Sequence, residues 1–140
     1  MTVQSEEQLE NKLIAQLNQL GYASVTIKSE SQLLSNLKFQ IERVNDLPPL
    51  SEIEWKQVIS FLNTGTVFER AKNLRDKFPV KFDNGTSKHI HFLAEHAVDN
   101  IYQVTNQITV DHRDHNGRTS RFDVTLLVNG LPLVQIELKK

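Results

Sequence analysis

Arg121-Phe122-Asp123-Val124-Thr125-Leu126-Leu127-Val128-Asn129-Gly130-Leu131-Pro132-Leu133-Val134-Gln135-Ile136-Glu137-Leu138-Lys139 is the stretch on which the reading of this chain turns. Phe122, Val124, Leu126 and Val128 alternate on one side of Asn129-Gly130, and Val134, Ile136 and Leu138 alternate on the other, so the segment predicts two strands with one apolar face each. Slipping the pairing by one residue would turn every side chain to the opposite face. A two-residue turn at Asn129-Gly130 would set Leu126 against Leu133 and Val124 against Gln135, apolar against polar. A three-residue loop of Asn129, Gly130 and Leu131, with glycine in the left-handed position, sets Leu126 against Val134, Val124 against Ile136 and Phe122 against Leu138. The pattern therefore predicts the three-residue loop.

The same register places Asp123 across from Glu137, with Cβ atoms roughly 5 Å apart, and Lys139 one diagonal step away. Two carboxylates at that separation repel by about 3 kcal/mol at an effective dielectric near 20. A bound divalent cation offsets this, and Lys139 offsets part of it without one. Asp and Glu on neighbouring strands can hold such a cation against a phosphodiester, with the lysine beside them orienting a water. Register alone leaves a surface ion-pair cluster at a strand edge equally open.

Asn106-Gln107-Ile108-Thr109-Val110, then Arg121-Phe122-Asp123-Val124, then Leu127 through Lys139, together resemble the amino-terminal nuclease domain of type I restriction enzyme R subunits. A lone Asp…Glu-x-Lys is common, but VNGLPLVQIELK after an Arg-x-Asp strand is distinctive. The likeness is strongest over residues 100–140, reaches less firmly to the opening helix, and is weak between residues 29 and 90. It implies an α/β fold of mixed α+β character: a central mixed sheet flanked by helices, with a restriction-endonuclease-like PD-(D/E)XK core. It implies Mg2+, with Mn2+ as a substitute, held by Asp123, Glu137 and the Leu138 backbone carbonyl, and Lys139 activating water. Glu10 on the opening helix is the candidate for a further ligand, although a solvated helix carboxylate is the simpler reading. Arg121, Gln135 and Lys140 are candidates for contacting the DNA backbone. The substrate would be double-stranded DNA, and the partners methyltransferase (M) and specificity (S) subunits. ATP would serve the parent protein's translocation motor and would not bind this segment, which has no Gly-x-x-x-x-Gly-Lys-Ser/Thr loop.

Composition agrees without deciding. The chain has 140 residues, 39% hydrophobic and 24% charged, as one modest domain would. It contains no cysteine, which excludes a disulfide framework, a thiolate zinc site and a cysteine nucleophile. No apolar run is long enough to span a membrane and no signal peptide is evident, so a cytoplasmic location is expected. A net charge of −1 means that attraction to DNA must be local or shared with other parts of an assembly. The sequence stops at Lys140 directly after the motif, so a fragment truncated at its carboxyl end is expected.

The organisation expected is one nuclease domain in three stretches. Residues 1–28 form an opening helix and strand, residues 29–79 a helical region, and residues 80–140 a β-meander carrying the motif. Ser5 and Gln8 suggest a capping box for a helix over residues 6–20, with Leu9, Leu13, Ile14, Leu17 and Leu20 as its apolar stripe and Gly21 at its end. Residues 22–27 favour a strand. Ser29 or Ser31 opens a second helix burying Leu33, Leu34, Leu37, Ile41 and Val44, stopped before Pro48-Pro49. Ser51 and Glu54 cap a third. A fourth spans residues 67–78, ended by Pro79, with Arg70, Lys72, Arg75 and Lys77 as a basic set that is either solvated or meets DNA or another subunit. Short strands over residues 80–82 and 89–93, a longer one over residues 102–110 and a turn at Asn116-Gly117 complete the meander.

His89 and His91, with Asp111, His112, Asp114 and His115, suggest a rival transition-metal site, but their spacing matches no established zinc pattern. No Gly-x-Ser-x-Gly elbow supports acyl transfer. Two alternatives remain at this level: a stand-alone or repair-type nuclease of the same fold, and a noncatalytic interaction module on the same scaffold.

Overall fold

A computed structural model describes residues 5–65, 67–112 and 118–139. It contains the helices α1 (Glu6–Gln19), α2 (Glu30–Val44), α3 (Glu52–Leu62) and α4 (Val67–Arg75), and the strands β1 (Ala23–Ser24), β2 (Phe78–Lys81), β3 (Ser87–Ile90), β4 (Tyr102–His112), β5 (Arg118–Val128) and β6 (Leu131–Ile136). A four-stranded sheet runs in the order β1-β4-β5-β6, with β1 parallel to β4 and the other pairs antiparallel. β2 and β3 form a separate antiparallel pair, so the consecutive meander begins at β4 and not at Val80. Helices flank the mixed sheet, as expected. The chain divides into two compact units: residues 1–37 with 101–140, and residues 38–100.

The first unit carries the sheet. α1 starts where expected, because Ser5 accepts from the Gln8 N–H and Gln8 reaches back to Ser5. Leu17 of this helix packs with Val104 and Val124, ringed by Leu13, Ile14, Tyr22, Leu126, Ile136 and Leu138. Leu20, expected on that stripe, is instead exposed at the helix end. A second cluster joins Ile27, Ile108 and Leu127 with Val25 and Leu33. Val124 and Leu127 have opposite parity on β5, so the two clusters lie on opposite faces of the sheet.

The strand expected over residues 22–27 is paired only at Ala23 and Ser24. Thr105 explains the interruption. Its buried hydroxyl accepts from the Ile27 N–H at 3.2 Å and donates to the Ile27 carbonyl at 3.1 Å, a side chain standing in for the ladder. Ser29 then opens α2, accepting from the Gln32 N–H, and meets Thr109 in an isolated parallel bridge. Along α2, Leu37 and Ile41 are buried as expected but Leu34 is exposed.

The β5–β6 register is the one the alternation predicted, reached by a different route. Leu126 pairs with Val134 and Val124 with Ile136, yet the turn has two residues and pairs Val128 with Leu131 and Leu127 with Pro132. The register shifts past Leu126, where Leu133 is the extra residue of a β-bulge. Asn129 (φ 52°) and Gly130 (φ 85°) are both left-handed, the signature of the tight hairpin turn that matches strand twist. Pro132 offers no N–H, so the ladder is already weak where the bulge falls.

In the second unit Ser51 and Glu54 form the expected capping box of α3. The fourth helix stops at Arg75, and Phe78-Pro79 starts β2 instead of ending the helix. A residue before proline is driven out of the helical region, and Phe78 stacks on Phe61 at 4.3 Å between ring centroids. Arg70, Lys72, Arg75 and Lys77 are all exposed.

Glu54 is buried, and its two oxygens accept from the backbone N–H groups of Ser51 and Asp83, each at 2.8 Å. The Ser51 bond first, then that of Asp83, holds its carboxyl below its ordinary value of 4.5. A depressed carboxyl contributes stability above its unfolded pKa and loses it as pH falls through the folded value. Glu54→Gln is therefore expected to melt below wild type at neutral pH, with the gap closing as the pH drops below about 4.5. A gap that stays constant across that range would remove the charge from the explanation.

Candidate active site

The hairpin of β5 and β6 positions the residues singled out by spacing. The last paired step, Val124 with Ile136, puts Asp123 and Glu137 at the next facing positions. There the backbone ladder ends, and the Asp123 side chain replaces it: the Leu138 N–H donates to Asp123 Oδ2 at 2.8 Å. A half-buried carboxylate therefore fixes the chain that carries Glu137, Leu138 and Lys139. Glu137 and Lys139 are exposed, while Leu138 packs inward beside Ile136.

Arg121, Phe122, Asp123, Gln135, Ile136 and Glu137 line one cleft of about 340 Å3. Four of the expected site residues thus share one concavity, with Arg121 and Gln135 exposed at it. Lys139 lies past the end of β6, two residues beyond Glu137, and is exposed. Lys140 lies outside the described residues.

Asp123 and Glu137 supply hard oxygen donors, with the Asp123 Oδ2 oxygen engaged by the Leu138 N–H. Among the described residues no group of three or more His, Cys, Asp or Glu side chains converges to hold a metal. Two carboxylates suit Mg2+, which keeps several waters and takes its remaining ligands from phosphate oxygens. They would not suit a caged structural zinc site.

Glu10 is not gathered into this pair. It is 8% exposed on α1, and its Oε1 accepts from Gln107 Nε2 at 3.0 Å. Gln107 was given no role by spacing, yet it lies between Asn106, paired with Val124, and Ile108, paired with Phe122, and so sits opposite Asp123. Its φ of 57° inside a strand is a tertiary feature that no local pattern announces. The rival histidine site fares differently. Among the described residues His89 is exposed, and Asn45 clamps the His91 backbone through bonds of 2.9 Å to its N–H and carbonyl. Asp114 and His115 lie outside the described residues, as does the Asn116-Gly117 turn.

A family model described as Type I restriction enzyme R protein N terminus matches residues 3–140. The Type I restriction enzyme SsaAORF53P endonuclease subunit of Staphylococcus saprophyticus is 42% identical over 145 residues, covering 100% of this chain and 15% of that protein. The SauMSSORF170P endonuclease subunit of Staphylococcus aureus is 41% identical over the same coverage. The EcoprrI endonuclease subunit of Escherichia coli is 34% identical over 143 residues, covering 98% of this chain and 44% of that protein. The chain spans about 15% of the length of the staphylococcal relatives. With a match running over nearly the whole sequence, and with the hairpin that carries Asp123, Glu137 and Lys139 formed in the expected register, the chain belongs to the type I restriction enzyme R protein N-terminus family.

Proposed function

We propose that this chain is the DNA-cleaving module of a type I restriction endonuclease subunit, a site-specific deoxyribonuclease that hydrolyses phosphodiester bonds of double-stranded DNA. The observation that carries the reading is the Asp123–Glu137 facing pair, tied together by the Leu138 N–H on Asp123 and set in one cleft with Arg121 and Gln135. Asp123, Glu137 and the Leu138 carbonyl would hold Mg2+, with Mn2+ as a substitute. When bound, the ion supplies Lewis acidity to the scissile phosphate and lowers the pKa of a water.

The protein side of the chemistry follows from charge and position. Lys139, exposed and two residues after Glu137, would bring its ammonium to the carboxylate pair, orient the attacking water and stabilise negative charge developing on the phosphate. Arg121 and Gln135 hold the backbone of the cleaved strand, a contact that carries no base information. Lys140, the next residue in the sequence, would add a further positive charge for phosphate contact. Sequence recognition belongs to a separate specificity subunit, with a methyltransferase subunit completing the complex, and ATP drives translocation through a motor elsewhere in the subunit. The assembly works in the cytoplasm; among the described residues no helix is long and apolar enough to cross a membrane.

Lys139→Ala and Glu137→Gln in the full-length subunit, assembled with its partners, test this. Both residues are exposed, so folding should survive. Plasmid cleavage is expected to fall by on the order of 10²-fold or more, with DNA-stimulated ATP hydrolysis retained. Wild-type cleavage in both variants would sink the assignment.

A further inference from the structure

Four observations meet at Gln107. Its φ of 57° is left-handed, a conformation uncommon for a residue other than glycine and rarer still within a strand. The β4–β5 ladder runs unbroken from Tyr102–Val128 to Asn106–Val124 and resumes at Ile108–Phe122, skipping only the step where Gln107 faces Asp123. Val104 and Ile108 have equal parity on β4, yet they pack on opposite faces of the sheet, so the alternation reverses between them. The Gln107 side chain is accordingly turned to α1, where Glu10 accepts its amide.

Glu10 is itself unusual. It is a buried carboxylate that takes part in no ion pair among the described residues, and its Oε1 accepts from the Gln107 amide. Burying a charge is costly unless something is gained. Here a charge-assisted hydrogen bond clamps Gln107 in a backbone conformation that extended pairing would otherwise pull straight. Strained backbone of this kind persists only where its surroundings hold it, and it gathers at functional sites.

We propose that Gln107 is a positioning residue: its left-handed backbone, locked by Glu10, opens the strand ladder opposite Asp123 and so sets that carboxylate for the divalent cation. Released from its own pairing step with β4, Asp123 has the freedom to turn its side chain along the sheet to the Leu138 N–H. With the ladder closed at that step, Asp123 would be held as an ordinary strand residue. The proposal rests on the Asp123–Glu137 reading, and its test separates the two.

The test titrates Ca2+, which binds oxygen sites, into the full-length subunit by calorimetry, alongside thermal melting. The relevant signal is the binding that Asp123→Asn removes. Gln107→Val, β-branched and intolerant of positive φ, is expected to weaken that binding by ~10- to 100-fold, the range for groups that orient metal ligands. Gln107→Gly accepts the left-handed conformation and is expected to keep most of the affinity, although it lacks the amide. Glu10→Gln should fall between them, since its amide can still accept from Gln107. A purely structural role for Gln107 predicts lower melting temperatures with unchanged Ca2+ affinity in the folded protein, and that result overturns the proposal. Equal losses in the Val and Gly variants overturn it too, because the backbone conformation would then not matter. If Asp123→Asn itself removes no Ca2+ binding, the metal reading fails first and takes this inference with it.

Discussion

Asp123→Asn is expected to abolish DNA cleavage by the full-length subunit while leaving its melting temperature close to wild type. The reason lies in the two duties of one side chain. As an acceptor, Asp123 Oδ2 holds the Leu138 N–H at 2.8 Å and anchors the end of the motif strand. As a carboxylate, it faces Glu137 and would supply negative charge for the proposed cation. Asparagine keeps an acceptor oxygen of the same reach and removes the charge, so the duties separate. Cleavage should drop by on the order of 10²-fold or more, since the cation loses one of two anionic donors. Asp123→Ala should lose cleavage to the same degree and in addition about 0.5–1.5 kcal/mol of stability with the hydrogen bond. Cleavage assays with ATP hydrolysis followed in parallel, together with melting curves, distinguish these variants. Wild-type cleavage by Asp123→Asn would remove Asp123 from the chemistry altogether.

Gly130→Ala is expected to be among the most destabilising single methyl additions in the chain, costing about 3 kcal/mol or more. Two effects add there. Gly130 has φ 85°, where an alanine is strained by roughly 1–2 kcal/mol. Its missing Cβ would also sit 2.6 Å from the Leu37 Cα, 3.2 Å from the Leu37 nitrogen and 3.3 Å from the Asn36 carbonyl oxygen. These are backbone atoms of α2, which cannot swing aside as a flexible side chain would. Asn129 stiffens the same turn: it is fully buried, its Oδ1 accepts from the Ile101 N–H and its own N–H donates to the Ile101 carbonyl, each at 2.8 Å. Gly21→Ala provides the comparison. It has φ 105° but nothing within 4 Å, so only the strain should appear. Denaturant unfolding should rank Gly130→Ala well below Gly21→Ala. Equal costs would mean that the approach of α2 is not what demands glycine at the turn.

Much of this was legible in the chain because it is local. The Ser5–Gln8 and Ser51–Glu54 capping boxes are satisfied within one helical turn each, so residue type and spacing suffice to read them. The facing of Leu126 with Val134 and of Val124 with Ile136 follows from the demand that apolar side chains share a face, whatever the turn does. That demand brought Asp123 to Glu137. The route to it was misread, because a left-handed Asn-Gly turn and a bulge at Leu133 together give the same register as a three-residue loop. Alternation counts residues between paired positions and is blind to how the excess one is accommodated. Phe78-Pro79 was misread for a related reason: the helical spacing of residues 67–78 continues into a segment that stacking on Phe61 makes extended.

The sequence by itself determined the mixed α/β character, the helix starts, the pairing of the motif strands and the facing of Asp123 with Glu137, all from short-range periodicity and local hydrogen bonding. The tertiary structure alone decided that Asp123 anchors Leu138, that Thr105 interrupts β1, that α2 backbone presses on Gly130, and that Gln107 turns left-handed to meet Glu10. Each of these joins residues far apart in the chain or trades a regular backbone bond for a side-chain one. Their energies depend on what has already packed around them, and no local pattern carries that information.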